Sequence, residues 1–241
     1  MKFLFDDRFR PITSTIGFIA AEPDATAETF VSWMGPIQAK RNVTLQKQSL
    51  RESLDNLLGR LLPLTSVERR RYLFVPTKSQ WTAFFDNGHR GTDAFSVLSY
   101  LSKRIGARSC AVTAIRNDEP MQTVTRFDAL GFEIYEPVDT DFLNYGRTLN
   151  LSNEDGKFVF TNRGTPFSFE DTSRYGLQNL RERLTPDILE EYLHQLGIDV
   201  FDEDFYDCGR ERMAILIEKQ GPTAPKLEEF TMVQAQRKKR G

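Results

Sequence analysis

The sequence predicts an α+β fold, with a mixed or largely antiparallel sheet and three to four helices packed on it. Short aromatic and β-branched runs, typical of strands, are scattered among amphipathic helical segments. The two kinds of segment do not alternate with the regular period that a doubly wound parallel sheet needs. Since 39% of the 241 residues are hydrophobic, we expect one packed α+β domain over residues 1–221. A polar tail with a basic C-terminus is predicted over residues 222–241.

The first quarter of the chain contains two predicted strands, Lys2–Phe5 and Thr15–Ala21, and two predicted helices. The first helix covers Ala25–Met34 and ends at the Gly-Pro pair that follows. The second, longer helix covers Thr44–Leu62, with Thr44 as N-cap and a proline after its last residue. Its apolar residues recur at the spacing of one helical face: Leu50, Leu54, Leu57, Leu58 and Leu61.

A hairpin is predicted next, formed by Tyr72–Val75 and Trp81–Phe85 around a polar turn. A helix capped by Thr92 or Asp93 then runs to about Arg104 and ends at a glycine. Later in the chain, Thr185 and Pro186 have the residue types of an N-cap and a first helical position. The further predicted strands are Ser109–Ile115, Gly131–Tyr135, Lys157–Phe160, Pro166–Phe169 and Met213–Glu218, of which the third and fourth form a second hairpin.

Composition disfavours several classes of function. Lys and Arg number 32 against 34 Asp and Glu, so the basic excess typical of a nucleic-acid-binding protein is missing. No apolar run is long enough to span a membrane. Charged residues from Asp6 onward interrupt the N-terminal apolar stretch, which argues against a secretory signal. The 2 cysteines form no disulfide framework, and we expect a cytoplasmic protein.

The polar loop between the predicted hairpin and the next helix is a candidate ligand site. A loop that leads from a strand into a helix can hold an anion with its backbone N–H groups. In an enzyme, His89 would act as general base while Arg90 holds an anionic substrate. The alternative is an ordinary capped turn, since the loop matches no phosphate-binding fingerprint. The residues concerned are Asp86, Asn87, His89, Arg90 and Asp93.

Catalytic, metal and cofactor signatures are otherwise missing from the sequence. The chain has only two histidines, His89 and His194, and a zinc site needs three or four ligands at set spacings. The acidic run near residue 203 lacks the spacing of a calcium loop. Neither cysteine has a recognised nucleophile context, and a Cys208–His194 pair is left open. We therefore assign no catalytic residue, no metal and no cofactor.

The distribution of charge is the most informative feature. From residue 184 to 209 the chain carries eight acidic residues and neither lysine nor arginine. An acidic surface speeds the arrival of a basic partner and orients it, so we expect a basic protein as partner. The alternatives are that these acids only maintain solubility, or that Arg69–Arg71 neutralise them within the fold. The predicted contact residues are Asp199, Asp202, Glu203, Asp204 and Asp207.

Two stretches resemble uncharacterised bacterial proteins of the toxin-immunity type. The first is the segment 81–93 with its Trp-Thr-Ala-Phe-Phe-Asp-Asn-Gly run; the second covers the pattern from Phe158 to Tyr206, including Leu196-Gly197-Ile198. The resemblance spans roughly residues 72–206 and transfers no catalytic residues. It implies a small cytosolic protein that neutralises a cognate bacterial toxin by occluding its basic site. The alternatives are a small-molecule enzyme at the Asp86–Asp93 loop and a phage or plasmid accessory protein.

Overall fold

A nine-stranded antiparallel sheet forms the centre of the protein in the computed structural model, which describes residues 3–116, 127–140, 143–154, 156–207 and 212–238. Its strands are β1 Thr15–Ile19, β2 Thr44–Leu50, β4 Arg71–Pro76, β5 Thr82–Asp86, β6 Ser109–Arg116, β7 Phe127–Tyr135, β8 Tyr145–Glu154, β9 Lys157–Gly164 and β10 Ala214–Gln220. They pair in the order β2-β10-β4-β5-β1-β6-β7-β8-β9. A two-stranded sheet joins β3 Leu64–Thr65 to β11 Glu229–Phe230. The expected largely antiparallel sheet is confirmed.

Six α-helices accompany the sheet within the described residues, and three of them have ten or more residues, which is roughly compatible with the three to four expected. They are α1 Pro23–Ala39, α2 Leu54–Gly59, α3 Phe95–Ile105, α4 Leu180–Arg183, α5 Pro186–Gln195 and α6 Met232–Lys238. The C-cap of α3 and the N-cap of α5 follow the sequence signals, but the predicted N-cap of α3 at Thr92 or Asp93 is wrong, because the helix begins after Ala94 without a side-chain cap. Gly106 ends α3 in the left-handed conformation, and the Thr185 side chain accepts a hydrogen bond from the Ile188 N–H at the start of α5.

The central strands are apolar on both faces because both faces are covered. In β4, Leu73 and Val75 belong to one hydrophobic core, whereas Phe74 belongs to the other. Strand residues alternate between faces, so this assignment places one core on each side of the sheet. Helices α1 and α3 cover the first face, where Phe30 packs 5.6 Å from Phe74. Helices α2 and α5 lie on the second face with the chain segment that follows α5.

The predicted helix Thr44–Leu62 is wrong in its first half. Residues Thr44–Leu50 form β2, which pairs with all seven residues of β10, and only Leu54–Gly59 are helical. The regular leucine spacing arises because the end of a strand and one short helix both point into the same core. Leu50, Leu57 and Leu61 are all buried there. Pairing with a distant strand therefore overrides the local helical pattern.

The second predicted hairpin is also wrong. Strand β9 continues to Gly164 and pairs with β8, which the sequence analysis did not identify. Pro166–Phe169 is not a strand. It lies in a loop that Glu170 holds against the sheet through a doubly hydrogen-bonded ion pair with the buried Arg147, at 2.9 Å for Nε to Oε1. The apolar residues Phe167 and Phe169, which suggested a strand, therefore belong to a loop that a buried ion pair anchors.

Two smaller predictions also need correction. The described part of Lys2–Phe5 is not a strand, because a 3-10 turn over Leu4–Asp7 replaces it. Helix α1 does not end at residue 34 but continues through Pro36 to Ala39, after which the Gln38 carbonyl accepts the Val43 N–H at 3.1 Å.

The predicted polar tail folds back onto the domain over much of its length. β11 and α6 lie within residues 222–241, and Phe230 and Ala235 are buried. The Gln236 side chain donates a hydrogen bond of 2.9 Å to the Arg10 carbonyl. Residues 229–238 therefore belong to the folded unit, and the basic residues 239 and 240 lie outside the described part.

Candidate functional site

An acidic groove, lined by residues from four separate parts of the chain, is the candidate functional site. It has a volume of about 810 Å³. Its walls include three of the predicted partner-binding acids, Glu203, Asp204 and Asp207. The 3-10 turn at the N-terminus adds Asp6, and α2 adds a further carboxylate. The groove thus carries five carboxylates against two cationic side chains: Asp6, Asp55, Glu203, Asp204 and Asp207 against Arg8 and Lys78.

Aromatic side chains fix the acidic wall of the groove to the second hydrophobic core. Phe205 and Tyr206 are buried, and the Tyr206 hydroxyl donates a hydrogen bond of 2.9 Å to the Val200 carbonyl. The Asp202 carboxylate accepts the Asp204 N–H at 3.0 Å and so caps the short 3-10 turn that follows it. The apolar residues thus point inward while Glu203 and Asp204 remain exposed. The result is an acidic ridge, residues Asp202–Asp207, anchored to the core by Phe205 and Tyr206.

The negative charge of the groove is not neutralised within the fold. Of its five carboxylates, only Asp55 has an ion-pair partner among the described residues, Arg8 at 2.6 Å. The Arg69–Arg71 run, which could have neutralised the acids, is engaged elsewhere. Its ion-pair partners are Asp86 and Asp93 for Arg69, Glu68 for Arg70 and Glu218 for Arg71. The alternative of internal neutralisation by these arginines is therefore wrong.

The remaining predicted contact residues have different roles. Asp202 is exposed but serves as the cap of the ridge. Asp199 is not among the residues that line the groove; its carboxylate lies 2.6 Å from Nδ1 of His194. This hydrogen bond and the negative charge of Asp199 raise the pKa of His194. The proposed partner of His194, Cys208, lies outside the described residues.

The Asp86–Asp93 loop is built around a buried carboxylate. Asp86 accepts hydrogen bonds from the Gly88 N–H at 2.8 Å and from the Asp93 N–H at 2.9 Å, and Arg69 lies 3.5 Å away. Burial raises the pKa of Asp86 to about 6, against the opposing effects of Arg69 and of the two N–H donors. These are the contacts of a carboxylate that shapes a turn.

The other polar groups of this loop are also used within the fold. The Asn87 side-chain oxygen accepts the N–H groups of Arg70 at 2.8 Å and Arg71 at 3.1 Å, and its amide donates to the Pro63 carbonyl. The His89 ring stacks on Phe230, with centroids 5.0 Å apart. Arg90 is exposed. This arrangement favours the capped-turn interpretation and gives no support to His89 as a general base.

Sequence reasoning missed Asp6 and Asp55 as members of the site. Both lie more than 140 residues away from Glu203 along the chain, and no local pattern links them to it. They meet the ridge because the N-terminal turn and α2 pack on the same face of the sheet as the segment after α5. The link between the ridge and the hairpin is a backbone hydrogen bond, from the Lys78 N–H to the Phe205 carbonyl at 2.8 Å.

Comparisons of the chain with protein-family models, curated proteins and solved structures find no match. Among the described residues, no helix has the length and apolarity to cross a membrane, and no three His, Cys, Asp or Glu residues are grouped to hold a metal ion. The fold and the groove define an α+β protein with an exposed, unneutralised acidic surface. The immunity-type resemblance remains an expectation.

Proposed function

We propose that this chain is a stoichiometric protein-binding protein whose acidic groove receives a basic segment of a protein partner. One observation carries the proposal: four carboxylates converge on the groove without an ion-pair partner in the described structure, namely Asp6, Glu203, Asp204 and Asp207. Holding like charges close together opposes folding, since they repel one another. A cationic partner relieves that repulsion on binding.

The groove is concave, so it can receive side chains that protrude from a partner. Its volume of about 810 Å³ accommodates several lysine or arginine side chains, which bind carboxylates by charge-assisted hydrogen bonds. The exposed acids at its rim accelerate association and make it dependent on salt. Binding of this kind requires no turnover and no catalytic residue.

A bacterial toxin is the specific partner that we propose. The resemblance to toxin-immunity-type proteins supports this choice, and so does the acidic groove. A toxin that acts on nucleic acid has a basic site, and carboxylates can occupy the positions that phosphates take there. Occlusion of that site would neutralise the toxin.

The docking proposal is tested by affinity capture from the native host with paired variants. We expect wild type to retain a basic protein that a Glu203→Lys/Asp204→Lys variant loses. The matched control is Glu190→Lys/Glu191→Lys, which makes the same charge change on the exposed side of α5 and should retain the partner. The same partner should dissociate as salt is raised. Equal capture by all three proteins, or no basic partner with wild type, contradicts the proposal.

The toxin part of the proposal needs a separate readout. Expression of the captured partner alone should arrest bacterial growth, and co-expression of this chain should restore it. The Glu203→Lys/Asp204→Lys variant should fail to restore growth although it is folded. A harmless partner would refute the toxin assignment and leave the docking surface intact.

A further inference from the structure

The β7–β9 half of the sheet has an open polar face that the proposed docking function does not use. It lies on the same face as α1 and α3, opposite the core against which the acidic groove is built. Following the order of strands in the sheet, these helices pack on the part that runs from β2 at one edge to β7. On the side toward β9, the last aromatic residues of their core are Tyr135 and Tyr145. Beyond that point no described helix covers this face of β8 and β9, whereas α4 packs against β9 at Phe158 and Phe160, which belong to the opposite core. A cavity of about 670 Å³ lies there.

The register of the strands arranges the lining of this cavity in rows. Glu133 pairs with Thr148, and Thr148 pairs with Arg163, so the three form one row across β7, β8 and β9. In the next row Gly131 pairs with Asn150, which pairs with Thr161. The cavity therefore has short polar side chains in its middle, with a carboxylate on one side and a guanidinium on the other. We call this site the sheet cradle: Glu133, Tyr145, Thr148, Asn150, Thr161 and Arg163.

The carboxylate of the cradle is oriented but not neutralised. The Tyr135 hydroxyl donates a hydrogen bond of 2.9 Å to Oε2 of Glu133, and the Tyr135 ring packs on Tyr145 with centroids 4.8 Å apart. No described cation forms an ion pair with Glu133. Burial raises the pKa of Glu133, while the bond from Tyr135 opposes that rise. A cationic group on a ligand would stabilise the charged carboxylate.

The guanidinium on the opposite side is likewise without a counter-ion. Arg163 is exposed and forms no ion pair with a described residue. Its backbone is fixed, since its carbonyl accepts a hydrogen bond of 2.7 Å from the buried Arg147. Arginine binds carboxylates through two parallel hydrogen bonds. An anionic group on a ligand would therefore find its partner at this end.

The floor of the cradle offers an unused acceptor. The Asn150 side-chain oxygen is buried and accepts no hydrogen bond from the described residues. It lies over Gly131, where an added Cβ would come within 3.0 Å of this oxygen and 2.3 Å of the Leu149 carbonyl. Position 131 therefore requires glycine, because any side chain there would clash with the backbone of β8. A buried acceptor without a donor is costly, but this oxygen is closed to solvent in the described structure, so recognition of a ligand rests on Glu133 and Arg163.

We infer that the sheet cradle binds a small zwitterion of the amino acid or dipeptide class, with its amine at Glu133 and its carboxylate at Arg163. Two strand spacings separate the backbones of the two residues by about 9–10 Å, and both side chains line the same cavity, so they can hold the two charged ends of a short ligand. An amino acid or a dipeptide is such a ligand. The absence of aliphatic side chains from the described lining disfavours an apolar ligand, whose pockets are mostly hydrophobic.

The probe for this site is glycylglycine, followed by amide chemical shifts in a titration of the full chain. We expect saturable shifts confined to the cradle strands, including the amides of Gly131 and Gly146. N-acetylglycylglycine lacks the cation and glycylglycinamide lacks the anion. Each should bind at least about tenfold more weakly, since a charge-assisted hydrogen bond contributes about 1.5–3 kcal/mol.

Two variants assign the two ends of the ligand. Arg163→Gln should bind glycylglycine and glycylglycinamide equally, because it no longer recognises the carboxylate. Glu133→Gln should bind glycylglycine and its N-acetyl form equally. Arg51→Gln, at an exposed arginine outside the cradle, should behave as wild type, and thermal melting confirms that each variant is folded. Shifts that do not saturate, or discrimination that survives in both cradle variants, would overturn the inference. So would tighter binding of an uncharged sugar such as glucose.

Discussion

The Asp86–Asp93 loop and the ridge at Asp202–Asp207 look alike in sequence but differ in how the fold uses them. Both are short, polar segments flanked by aromatic residues. In the loop, Asp86 and Asn87 are fully buried and accept hydrogen bonds from backbone N–H groups. On the ridge, Glu203 and Asp204 are exposed and have no ion-pair partner among the described residues.

The difference shows whether a polar residue contributes free energy to folding or remains available for binding. A buried polar group with several partners contributes to folding, because each backbone group left without its partner would cost about 1–3 kcal/mol. An exposed carboxylate without partners contributes little to folding and remains available for binding. The loop is therefore a structural element, and the ridge is the better candidate for function. Three measurements of stability test this contrast.

The largest effect is expected from Asn87→Ala. The substitution leaves the N–H groups of Arg70 and Arg71 and the Pro63 carbonyl without their side-chain partner in a buried environment. We expect the free energy of unfolding to fall by about 3 kcal/mol in urea denaturation. The control is Asn56→Ala at an exposed position of α2, which should change it by less than about 0.5 kcal/mol. Similar small changes in both variants would mean that the loop is not structural.

A pH-dependent effect is expected from Asp86, because burial raises its pKa from 3.8 to about 6. In this pH window the folded state binds more protons than the unfolded state, so stability falls as pH rises. The contribution is fully present below about pH 4 and is lost as pH rises through about 6. It amounts to the order of 2–3 kcal/mol.

The check on Asp86 is the slope of unfolding free energy against pH. Asp86→Asn should flatten that slope between about pH 4 and pH 6. Asp93→Asn removes a carboxylate from the same loop, but one whose side chain is 55% exposed and whose charge is the smallest of the causes acting on the pKa of Asp86, so most of the wild-type slope should remain. An unchanged slope in Asp86→Asn would show that this carboxylate titrates as it does in the unfolded chain.

The smallest effect is expected on the ridge itself. Glu203→Gln combined with Asp204→Asn removes two charges that have no partner in the described fold, so the unfolding free energy should change by less than about 0.5 kcal/mol. Asp202→Ala is the contrasting variant, because it removes the cap on the Asp204 N–H and should cost about 1 kcal/mol. A large loss of stability in the first variant would show that the ridge acids hold the fold together.

Local patterns predicted the elements whose signals lie within a few residues. The pairing of β4 with β5, the start of α5 at Pro186 and the end of α3 at Gly106 all follow from turn and cap chemistry. The helix predicted from Thr44 failed because β2 owes its conformation to β10, about 170 residues later. Strand β8 was missed although its residues alternate between a core on one side and the polar cradle on the other, because only two of its ten residues, Leu149 and Leu151, are aliphatic.

The sequence by itself determined the antiparallel α+β character and the acidic stretch without lysine or arginine, because composition and short-range periodicity are written along the chain. Only the tertiary structure decided what those polar residues do. Whether a carboxylate is buried against N–H groups, as Asp86 is, or left facing solvent beside Asp6 and Asp55, as Glu203 is, depends on contacts between distant segments. The tertiary structure likewise decided that Glu133 and Arg163 lie in one row across three strands. The strand register places them there, and no local sequence pattern encodes that register.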